Sequence, residues 1–437
     1  MISGTKEKKR VWLVSAHFPP SNLVSVHRAR MLANHLGARG WSPTVLCVAP
    51  EYYEEKLDPE LEKLVEPSVR VIRVPAISPR VARPLGWGDI GLRGWPYLYR
   101  ALAEEARQGR VEVVHITLPN NYQSLLGRLL WERHGVPYIL DYMDPWVYES
   151  DQGDRFPSKA WGSQFLAKRL EPLAVARASG IMGITARHFA GAVRRNPQLA
   201  EAPQLAAQYG SSQWDQEKVK ALKIEPRRLE RNAPVRQIVY AGGIWPKAVD
   251  TMRAWLRAMG EVNRQLKGAK PFRLVCLGTG NRPSDPESFQ VLPLAREEGV
   301  AEWVREYPER HSFLEVLATL AAAEGSLIIG STEPHYSPSK LFQCVLARRP
   351  VAAVLFHECE GLGILRESGA GMVIPFVLPW NAGQVTRDCA NALRRWPEHA
   401  PDDVRWDLFR DYDMENIATQ VARFYDEVMD YNQRRKT

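Results

Sequence analysis

The feature that most constrains the fold of this sequence is a repeated alternation of short apolar segments with longer segments of helical periodicity. The apolar segments are rich in β-branched residues and predict strands at Val11–Ser15, Thr44–Val48, Val69–Val74, Val111–Ile116, Pro137–Leu140 and Ile181–Thr185. Helices are predicted between several of them, over 26–36, 123–134 and 186–195. Near-continuous apolar strands that alternate with helices are typical of a parallel sheet with helices on both faces.

The alternation stops over residues 196–235, which are polar and contain four prolines, and it then resumes. This stretch predicts a connection between domains that includes a short helix. A second series of strands is predicted at Gln237–Ala241, Phe272–Leu277, Leu327–Ile329, Val351–Val354 and Met372–Ile374. We therefore predict an α/β protein with two Rossmann-like domains, over 1–210 and 236–413, a linker over 211–235 and a last helix over 414–431.

Composition narrows the class of protein without choosing a function. The 437 residues carry a net charge of +8, which favours polyanions, anionic membrane surfaces or phosphorylated substrates, although a basic solvated surface would also account for it. No apolar run approaches the roughly 20 residues that span a bilayer. The cysteines are scattered without a zinc spacing, which predicts buried thiols and a cytoplasmic location. Nucleic acid is not expected as a partner, because Lys and Arg are spread out and no binding module is present.

The most informative segment is residues 333–343, which follow a predicted strand and open a predicted helix. Ser337 is expected to cap this helix with Pro338 at its first position, so that free N–H groups face a phosphate. Lys340 places a cation near the N-terminal end of the helix, where the helix dipole disfavours positive charge unless an anion is bound there. Gln343 lies on the same face, within reach of a ribose hydroxyl. The alternative is an ordinary capped helix with an exposed lysine.

Two further turns are predicted at the same edge of the second sheet. Gly242 and Gly243 directly follow a strand, and paired glycines allow a ligand to approach the backbone, with Lys247 as a second cation. Gly278 lies in the turn after the next strand, where a donor nucleotide or a purely structural turn fits equally well.

The first half offers candidate acceptor ligands. The loop after the first predicted strand and the helix that follows it contain four polar side chains that would border the cleft: His17, Ser21, Asn22 and Arg28. Each of them, taken alone, is more often an ordinary loop residue than a ligand. Asp144 follows the strand at 137–140 and is placed to orient or deprotonate an acceptor hydroxyl, with a turn or cap as its alternative role. The GxGxxG fingerprint is absent here, which argues against NAD or FAD.

One insertion, Arg80–Arg100, is rich in Trp, Tyr, Gly and Arg. Aromatic side chains beside cations suit a sugar platform, an acceptor groove or a membrane interface, and a small aromatic core under a long loop is the structural alternative. A lipid-linked acceptor and peripheral association with an anionic membrane would account for it, and a soluble acceptor would use the same rings for stacking.

Together these segments resemble the retaining glycosyltransferases of family 4, which have the GT-B fold. The resemblance runs in order through residues 17–41, 141–146, 206–215, 240–252 and 337–351, of which the last is the most specific. The first loop has Ser21 and Asn22 where the family usually has glycines. Two positions in the second half also depart from the family pattern. Gln343 stands where a ribose-binding glutamate is usual, and the arginine usually found just before Lys247 is missing.

The resemblance implies two Rossmann-like domains that face each other across a cleft, with helix 414–431 packing back onto the first. It implies a retaining, metal-independent transfer of a sugar from a nucleoside-diphosphate donor to a hydroxyl acceptor in glycan biosynthesis, without a cofactor. The expected catalytic residues are Asp144, Lys247 and Lys340. The expected donor ligands are Gly242, Gly243, Gly278, Tyr307, Ser337, Ser339 and Gln343. A protein of the same fold that binds a nucleotide or partner without catalysis, an epimerase and an inverting transferase remain as alternatives.

Overall fold

The chain forms two compact units in the computed structural model, which describes residues 8–148, 156, 158–282, 284–333, 336–396 and 404–435. Unit 1 comprises Met1–Tyr209 and Met414–Thr437, and unit 2 comprises Gly210–Asp413. The range 211–235, predicted as a linker, therefore lies within unit 2, where Gln213–Ala221 is helical.

The secondary structure of the described residues follows the predicted alternation. The strands are β1 (Lys9–Val14), β2 (Trp41–Val48), β3 (Arg70–Val74), β4 (Val113–Thr117), β5 (Tyr138–Tyr142), β6 (Gly180–Gly183), β7 (Gln204–Ala206), β8 (Arg236–Ala241), β9 (Phe272–Leu277), β10 (Val304–Tyr307), β11 (Gly325–Ile329), β12 (Val351–Phe356) and β13 (Met372–Phe376). The α-helices are α1 (Val24–Leu36), α2 (Pro79–Ala82), α3 (Ile90–Arg107), α4 (Leu125–His134), α5 (Lys159–Val175), α6 (Ala186–Arg195), α7 (Gln213–Ala221), α8 (Val249–Gln265), α9 (Val291–Glu297), α10 (Phe313–Ala322), α11 (Lys340–Leu346), α12 (Glu360–Ser368), α13 (Ala382–Arg395), α14 (Trp406–Phe409) and α15 (Met414–Arg434).

Unit 1 is built on a parallel sheet with the strand order β3-β2-β1-β4-β5-β6-β7. Alternate residues of β1 enter different cores, with Trp12 and Val14 on one face of the sheet and Val11 and Leu13 on the other. Because both faces are covered, each central strand is apolar at almost every position. The strand order reverses between β1 and β4, so the loops that follow these two strands border a switch point, where open α/β sheets bind ligands.

The last helix, α15, belongs to unit 1 although it follows unit 2 in the sequence. It packs against α1, and its residues Val421, Tyr425 and Val428 share a core with Leu32. Val428 also approaches Gly180 in β6, where a Cβ atom would lie 2.6 Å from its Cγ2. The C-terminal segment is therefore part of the first core.

Unit 2 repeats the same architecture with the strand order β10-β9-β8-β11-β12-β13. Helices α8 and α13 cover one face, where Trp255 and Trp396 pack edge to face with ring centroids 6.5 Å apart. The order reverses between β8 and β11, which places the loops after both strands at a second switch point. The prediction of two Rossmann-like, parallel α/β halves is confirmed.

Two further expectations concern membranes and thiols. No helix in the described part of the chain is both long enough and apolar enough to cross a bilayer. All five cysteines are buried free thiols.

Close helix–strand packing generates a stability prediction at Gly127 in α4. An added Cβ atom at this position would lie 2.2 Å from Tyr138 Cδ2, so we expect Gly127→Ala to destabilise the protein by about 1–3 kcal/mol. Gly162 in α5 has no atom within 4 Å of an added Cβ and is the matched control, where alanine should stabilise the helix by up to about 1 kcal/mol. Thermal unfolding measures both variants, and equal midpoints would contradict the packing argument.

Candidate active site

The turn after β8 brings backbone close to a cation at the C-terminal edge of the unit 2 sheet. Gly242 has a φ of +110°, a conformation that favours glycine, and its N–H donates to the Leu277 carbonyl over 2.8 Å. The Tyr240 hydroxyl donates to the Gly243 carbonyl over 2.8 Å, which fixes the other side of the turn. A Cβ atom at Gly242 would lie 3.1 Å from Lys340 Nζ, so the missing side chain leaves room for the lysine.

Lys340 is the first residue of α11 and is the central charged group of this edge. Its ammonium lies 4.0 Å from the centroid of the Tyr240 ring, a cation–π contact. Burial lowers the pKa of Lys340 from 10.5 to about 8. Within the part of the chain that the structure describes, no carboxylate lies within ion-pair distance of it. A partly desolvated cation without an acidic partner is the electrostatic signature of an anion site.

The start of α11 differs from the prediction. Ser337 and Pro338 were expected at the cap and first helical positions, but the helix begins at Lys340, with Ser339 in the cap position and no side-chain cap bond. The reason is a tight turn in which Leu341 N–H donates to the Pro338 carbonyl over 3.0 Å, so the regular helical ladder starts later. Ser339 remains adjacent to the lysine. Pro334 and His335 of the predicted segment lie outside the described residues.

Gln343 lies one turn after Lys340 along α11. Its Oε1 atom is buried, and it has no hydrogen-bond partner among the residues that the structure describes. Leaving a buried acceptor unpaired costs about 1–3 kcal/mol, and a ligand hydroxyl would remove that cost. The amide therefore supports the prediction of a ribose contact on this side of the helix.

Lys247, the second predicted cation, has a different environment. Its side chain is 59% exposed, and its Nζ lies 3.8 Å from Glu333 Oε1. An exposed pair at this distance is weak, about 0–1 kcal/mol, because water and salt screen it. Lys247 is therefore free to exchange Glu333 for a stronger anion.

The turns after β9 and β10 carry the residues predicted to contact the base. Gly278 has a φ of +67° and donates its N–H to the Tyr307 carbonyl over 2.8 Å. The Arg228 guanidinium lies 4.7 Å from the Tyr307 ring centroid, so one side of that ring already holds a cation. Gly278 and Tyr307 are therefore joined by a backbone hydrogen bond rather than by a side-chain contact.

Glu306 is a structural residue of this edge that the sequence did not reveal. Its carboxylate accepts the Thr279 hydroxyl over 2.5 Å and the backbone N–H groups of Gln290, Val291 and Leu292 over 2.6–3.0 Å. It thereby caps α9 from a neighbouring strand and fixes the loop after β9. Because its partners lie 14 to 27 residues away, no local pattern marks it.

In unit 1, His17 lies in a polar cluster after β1. Its Nε2 is 3.5 Å from Glu55 Oε1, and its Nδ1 is 3.3 Å from Asn120 Oδ1 in the loop after β4. Burial raises the pKa of Glu55, but hydrogen bonding and charge from His17, together with the Ser21 hydroxyl, lower it to about 2. The pair of loops at the switch point is thus joined through His17. Glu55 and Asn120 were not predicted, although Asn120 follows a strand at the position where the fold rule places ligands.

Ser21 and Asn22, predicted to bind acceptor, hold the loop itself. Ser21 is fully buried and donates its hydroxyl to Glu55. Asn22 donates its amide to Asp58 over 3.3 Å and contacts His27 Nε2 over 2.9 Å. Ser21 is therefore removed from the candidate acceptor ligands, because its side chain has no surface to offer.

The prediction that Arg28 binds the acceptor is also corrected by the structure. It is 1% exposed, its Nε lies 2.6 Å from Asp141 Oδ2, and its Nη1 donates to the carbonyls of Ala207 and Gln208. His115 lies 3.1 Å from the same Asp141 oxygen. Burial raises the pKa of Asp141, but the Arg28 charge and the His115 hydrogen bond outweigh it and lower the pKa to about 2. Arg28 ties α1 to the sheet and cannot reach an acceptor.

Asp144 lies beyond the end of β5, and its residue is exposed. It differs from Asp141, the other carboxylate of the motif, which is fully buried in the ion pair with Arg28. Of the two, only Asp144 is accessible to an acceptor from solvent.

The insertion at 80–100 forms part of two helices rather than one loop. It covers the end of α2 and the first half of α3, whose start is capped by Asp89 accepting the Leu92 N–H over 2.8 Å. Trp95 and Tyr99 stack with ring centroids 5.6 Å apart, and both pack on the core of unit 1. Trp87 and Tyr97 are exposed. Some of its aromatic residues are therefore core and others are surface.

The buried pair in unit 1 generates the prediction for Arg28→Met. Removing the guanidinium leaves Asp141 buried beside no cation, so we expect a loss of about 3–5 kcal/mol of stability at neutral pH. The contribution of Asp141 is present above its ordinary pKa of 3.8 and is lost as the pH falls toward 2, so the difference between wild type and variant should shrink in acid.

The control for Arg28→Met is Lys63→Met, which breaks the exposed pair with Glu60 and should change stability by less than about 1 kcal/mol. Calorimetry of both variants at several pH values is the measurement. A small, pH-independent effect at Arg28 would show that the pair does not hold α1 in place.

The comparisons with known proteins agree with the fold. Residues 25–203 match the family model described as glycosyl transferase 4-like domain. No curated protein matches the sequence significantly. Among solved structures, the sucrose-phosphate synthase of Thermosynechococcus elongatus is 16% identical with a TM-score of 0.60, covering 97% of this chain and 100% of its own.

Two further solved structures are similar over nearly their full lengths. Anabaena Alr3699/HepE, in complex with UDP, is 12% identical with a TM-score of 0.58 and covers 96% of this chain and 99% of its own. WaaG, a glycosyltransferase involved in lipopolysaccharide biosynthesis, is 15% identical with a TM-score of 0.57, covering 94% and 98%. At these identities the likeness shows the fold, and the family model covers the N-terminal domain. The chain thus has the GT-B fold of these glycosyltransferases, and its residues 25–203 match a glycosyl transferase 4-like domain.

Proposed function

We propose that the chain transfers a sugar from a nucleoside-diphosphate donor, bound by unit 2, to a hydroxyl acceptor held by the loops of unit 1. The observation that carries the donor site is Lys340, a partly desolvated cation with no carboxylate partner among the described residues, facing the Gly242 turn. The parallel α/β fold positions the loops of the donor site, and Lys340 provides the positive charge that would bind the diphosphate.

The donor diphosphate would lie between the ammonium of Lys340 and the backbone N–H of Gly243, and Gly242, which has no side chain, would leave room for it. Charge-assisted hydrogen bonds of this kind are about twice as strong as neutral ones. As the bond from the sugar to the diphosphate breaks, negative charge develops on the departing oxygen, and the positive charge of Lys340 stabilises it. Gln343 would accept a hydroxyl of the ribose with its buried, unpaired oxygen.

Metal independence and retention belong to the same proposal. Lys340 and Lys247 together offer the positive charge that a divalent cation supplies in other transferases. Retention follows from the family resemblance, in which the acceptor attacks on the face that the diphosphate leaves. In that mechanism the departing diphosphate takes the acceptor proton, so no protein nucleophile is required.

UDP is the first nucleotide to consider. Solved complexes of the structural neighbour Alr3699/HepE contain UDP, UDP with glucose, and UDP-glucose. We propose a UDP-type donor on this ground, with the base beside the Gly278 turn and Tyr307. The other nucleoside diphosphates are tested alongside it.

On the acceptor side, Asp144 and His17 are the residues that we propose. Asp144 is exposed after β5, and His17 is 12% exposed beside Glu55 and Asn120 at the switch point of unit 1. A carboxylate is suited to orient an acceptor hydroxyl, and the imidazole to donate or accept a second hydrogen bond. We further propose that the protein works in the cytoplasm, with peripheral association to an anionic membrane.

A second candidate is a protein that binds the nucleotide without transferring sugar. The neutral Gln343, at the position of the usual glutamate, and the absence of an arginine just before Lys247 favour it. Nucleotide binding without release of UDP from any nucleotide sugar, with or without acceptor, would support this candidate over the transferase.

Lys340→Ala tests the donor site. Because a charged hydrogen bond contributes about 1.5–3 kcal/mol, the variant should bind UDP about tenfold to a hundredfold more weakly, seen as a lost thermal shift. In the wild type, affinity should fall as the pH rises through about 8, where the free lysine loses its proton, and this dependence should vanish in the variant.

Lys267→Ala, which removes an exposed lysine of unit 2, is the matched control and should bind UDP like the wild type. The screen is repeated with GDP, TDP, CDP and ADP. If none of the five nucleotides shifts the midpoint at millimolar concentration, the donor site is not at Lys340.

Asp144→Asn and His17→Ala test the acceptor side. Each should lower acceptor-dependent release of UDP from the nucleotide sugar by about tenfold or more while the UDP-induced thermal shift stays unchanged. His357→Ala, an exposed histidine of unit 2, is the control for histidine loss. An equal loss of UDP binding in the two unit 1 variants would instead indicate that they damage the fold.

A further inference from the structure

Large apolar side chains are exposed on unit 1, and they are concentrated in two segments of the sequence. Of the 17 large hydrophobic residues exposed in the described part of the chain, ten lie in two segments of unit 1. These are residues 81–97, with Val81, Leu85, Trp87 and Tyr97, and residues 148–173, with Tyr148, Phe156, Trp161, Phe165, Leu166 and Leu173. Apolar surface gathered in this way marks an interaction site.

Helix α5 carries the larger share of this surface. Its inner side is buried through Ala167, Ala174 and Val175, whereas its outer side exposes an aromatic ladder. Trp161 and Phe165 stack with ring centroids 5.4 Å apart, and both are more than a third exposed. A helix with apolar side chains on both sides is typical of a helix that is covered on both sides.

The charges on the same side of α5 have one sign. Lys159, Lys168 and Arg169 are exposed, and none of them has a carboxylate partner among the residues described. The Arg169 guanidinium lies 5.0 Å from the Phe165 ring centroid. The one acidic residue of the helix, Glu171, is buried in an ion pair with Arg195. Apolar side chains flanked by unpaired cations are the pattern of a helix that lies in an anionic membrane interface.

Three carboxylates precede α5 in the sequence, at Glu149, Asp151 and Asp154, outside the described residues. The three cations named above all lie on the helix itself. A second copy of the chain is a poorer occupant, because a two-fold contact would bring the same patch, and its cations, against itself.

The topology places the starts of α3 and α5 at one end of the sheet. Helix α3 packs against α4, and α4 packs against α5, in one layer over a shared core. Each of α3 and α5 crosses between parallel strands, so each begins at the C-terminal edge of the sheet. That is the edge with the loops of His17 and Asp144. The exposed rings at 87, 97, 161 and 165 lie in the first halves of the two helices or just before them.

We propose that unit 1 docks on an anionic lipid bilayer through the outer side of α5, with the start of α3 beside it. This outer side is named here the α5 face, and it consists of Trp161, Phe165, Leu166, Lys168, Arg169 and Leu173. This deepens the proposed peripheral association and rests on it. The rings enter the interface and the cations pair with lipid phosphates. Docking in this way brings the acceptor loops of unit 1 to the bilayer surface.

The test is vesicle flotation of the full chain. The probes are phosphatidylcholine vesicles and vesicles with about 30% phosphatidylglycerol, each at low salt and at about 0.5 M salt. The wild type should float with the anionic vesicles at low salt, about fivefold more than with the neutral ones, and high salt should reduce binding. Trp161→Ser combined with Phe165→Ser, and separately Lys168→Glu combined with Arg169→Glu, should each lower the floating fraction about fivefold.

Val377→Ser, which removes a side chain of unit 2 that is 53% exposed, is the control and should float like the wild type. UDP-induced thermal shifts on the same samples separate this proposal from sugar transfer. If the double variants keep the UDP-induced thermal shift of the wild type but no longer float, the α5 face binds lipid in a folded enzyme. Absent flotation of the wild type, or flotation that both double variants retain, overturns docking whether or not UDP binds. If the wild type floats in a salt-sensitive way, the double variants do not float, and no UDP binding is seen, the result supports docking and counts against the transferase.

Discussion

The structure depends on the strand order of two fully covered parallel sheets. Every central strand is buried on both faces, so its own side chains cannot form a site, and polar groups collect in the loops beyond the C-terminal ends. In unit 2 the order reverses between β8 and β11, and the Gly242 turn after β8 meets Lys340, which lies beyond β11. The position of the proposed donor site therefore follows from topology before any side chain is considered.

Charge pairing separates structural from functional residues in this molecule. Arg28 and Asp141 are both buried, but each has the other, and His115 adds a further contact, so the pair contributes to the fold. Lys340 is partly buried without such a partner in the described residues, so part of its desolvation cost is unmet until an anion arrives. The same physical rule supports a structural role for Arg28 and the proposed donor-binding role for Lys340.

Much of the fold follows from the sequence, because apolar strands and the helices between them leave local patterns. The glycine turn and the Lys340 segment were also predicted, since both involve neighbouring residues. Contacts between distant residues were not predictable. The burial of Arg28, the Glu306 cap and the His17–Glu55 pair each depend on tertiary structure. Helix α5 was missed because its outer side is as apolar as its inner side, so the contrast that predicts a surface helix is lacking. The apolar side chains on the outer side of α5 are also the basis of the proposed docking surface.

The most direct test of the central claim is a crystal structure of the protein with UDP. We predict the diphosphate within hydrogen-bond distance of Lys340 Nζ and of the Gly243 N–H, beside Gly242, with a ribose hydroxyl on Gln343. A nucleotide bound elsewhere in unit 2, or a diphosphate that leaves Lys340 against Tyr240 without contact, would contradict the assignment of this edge as the donor site.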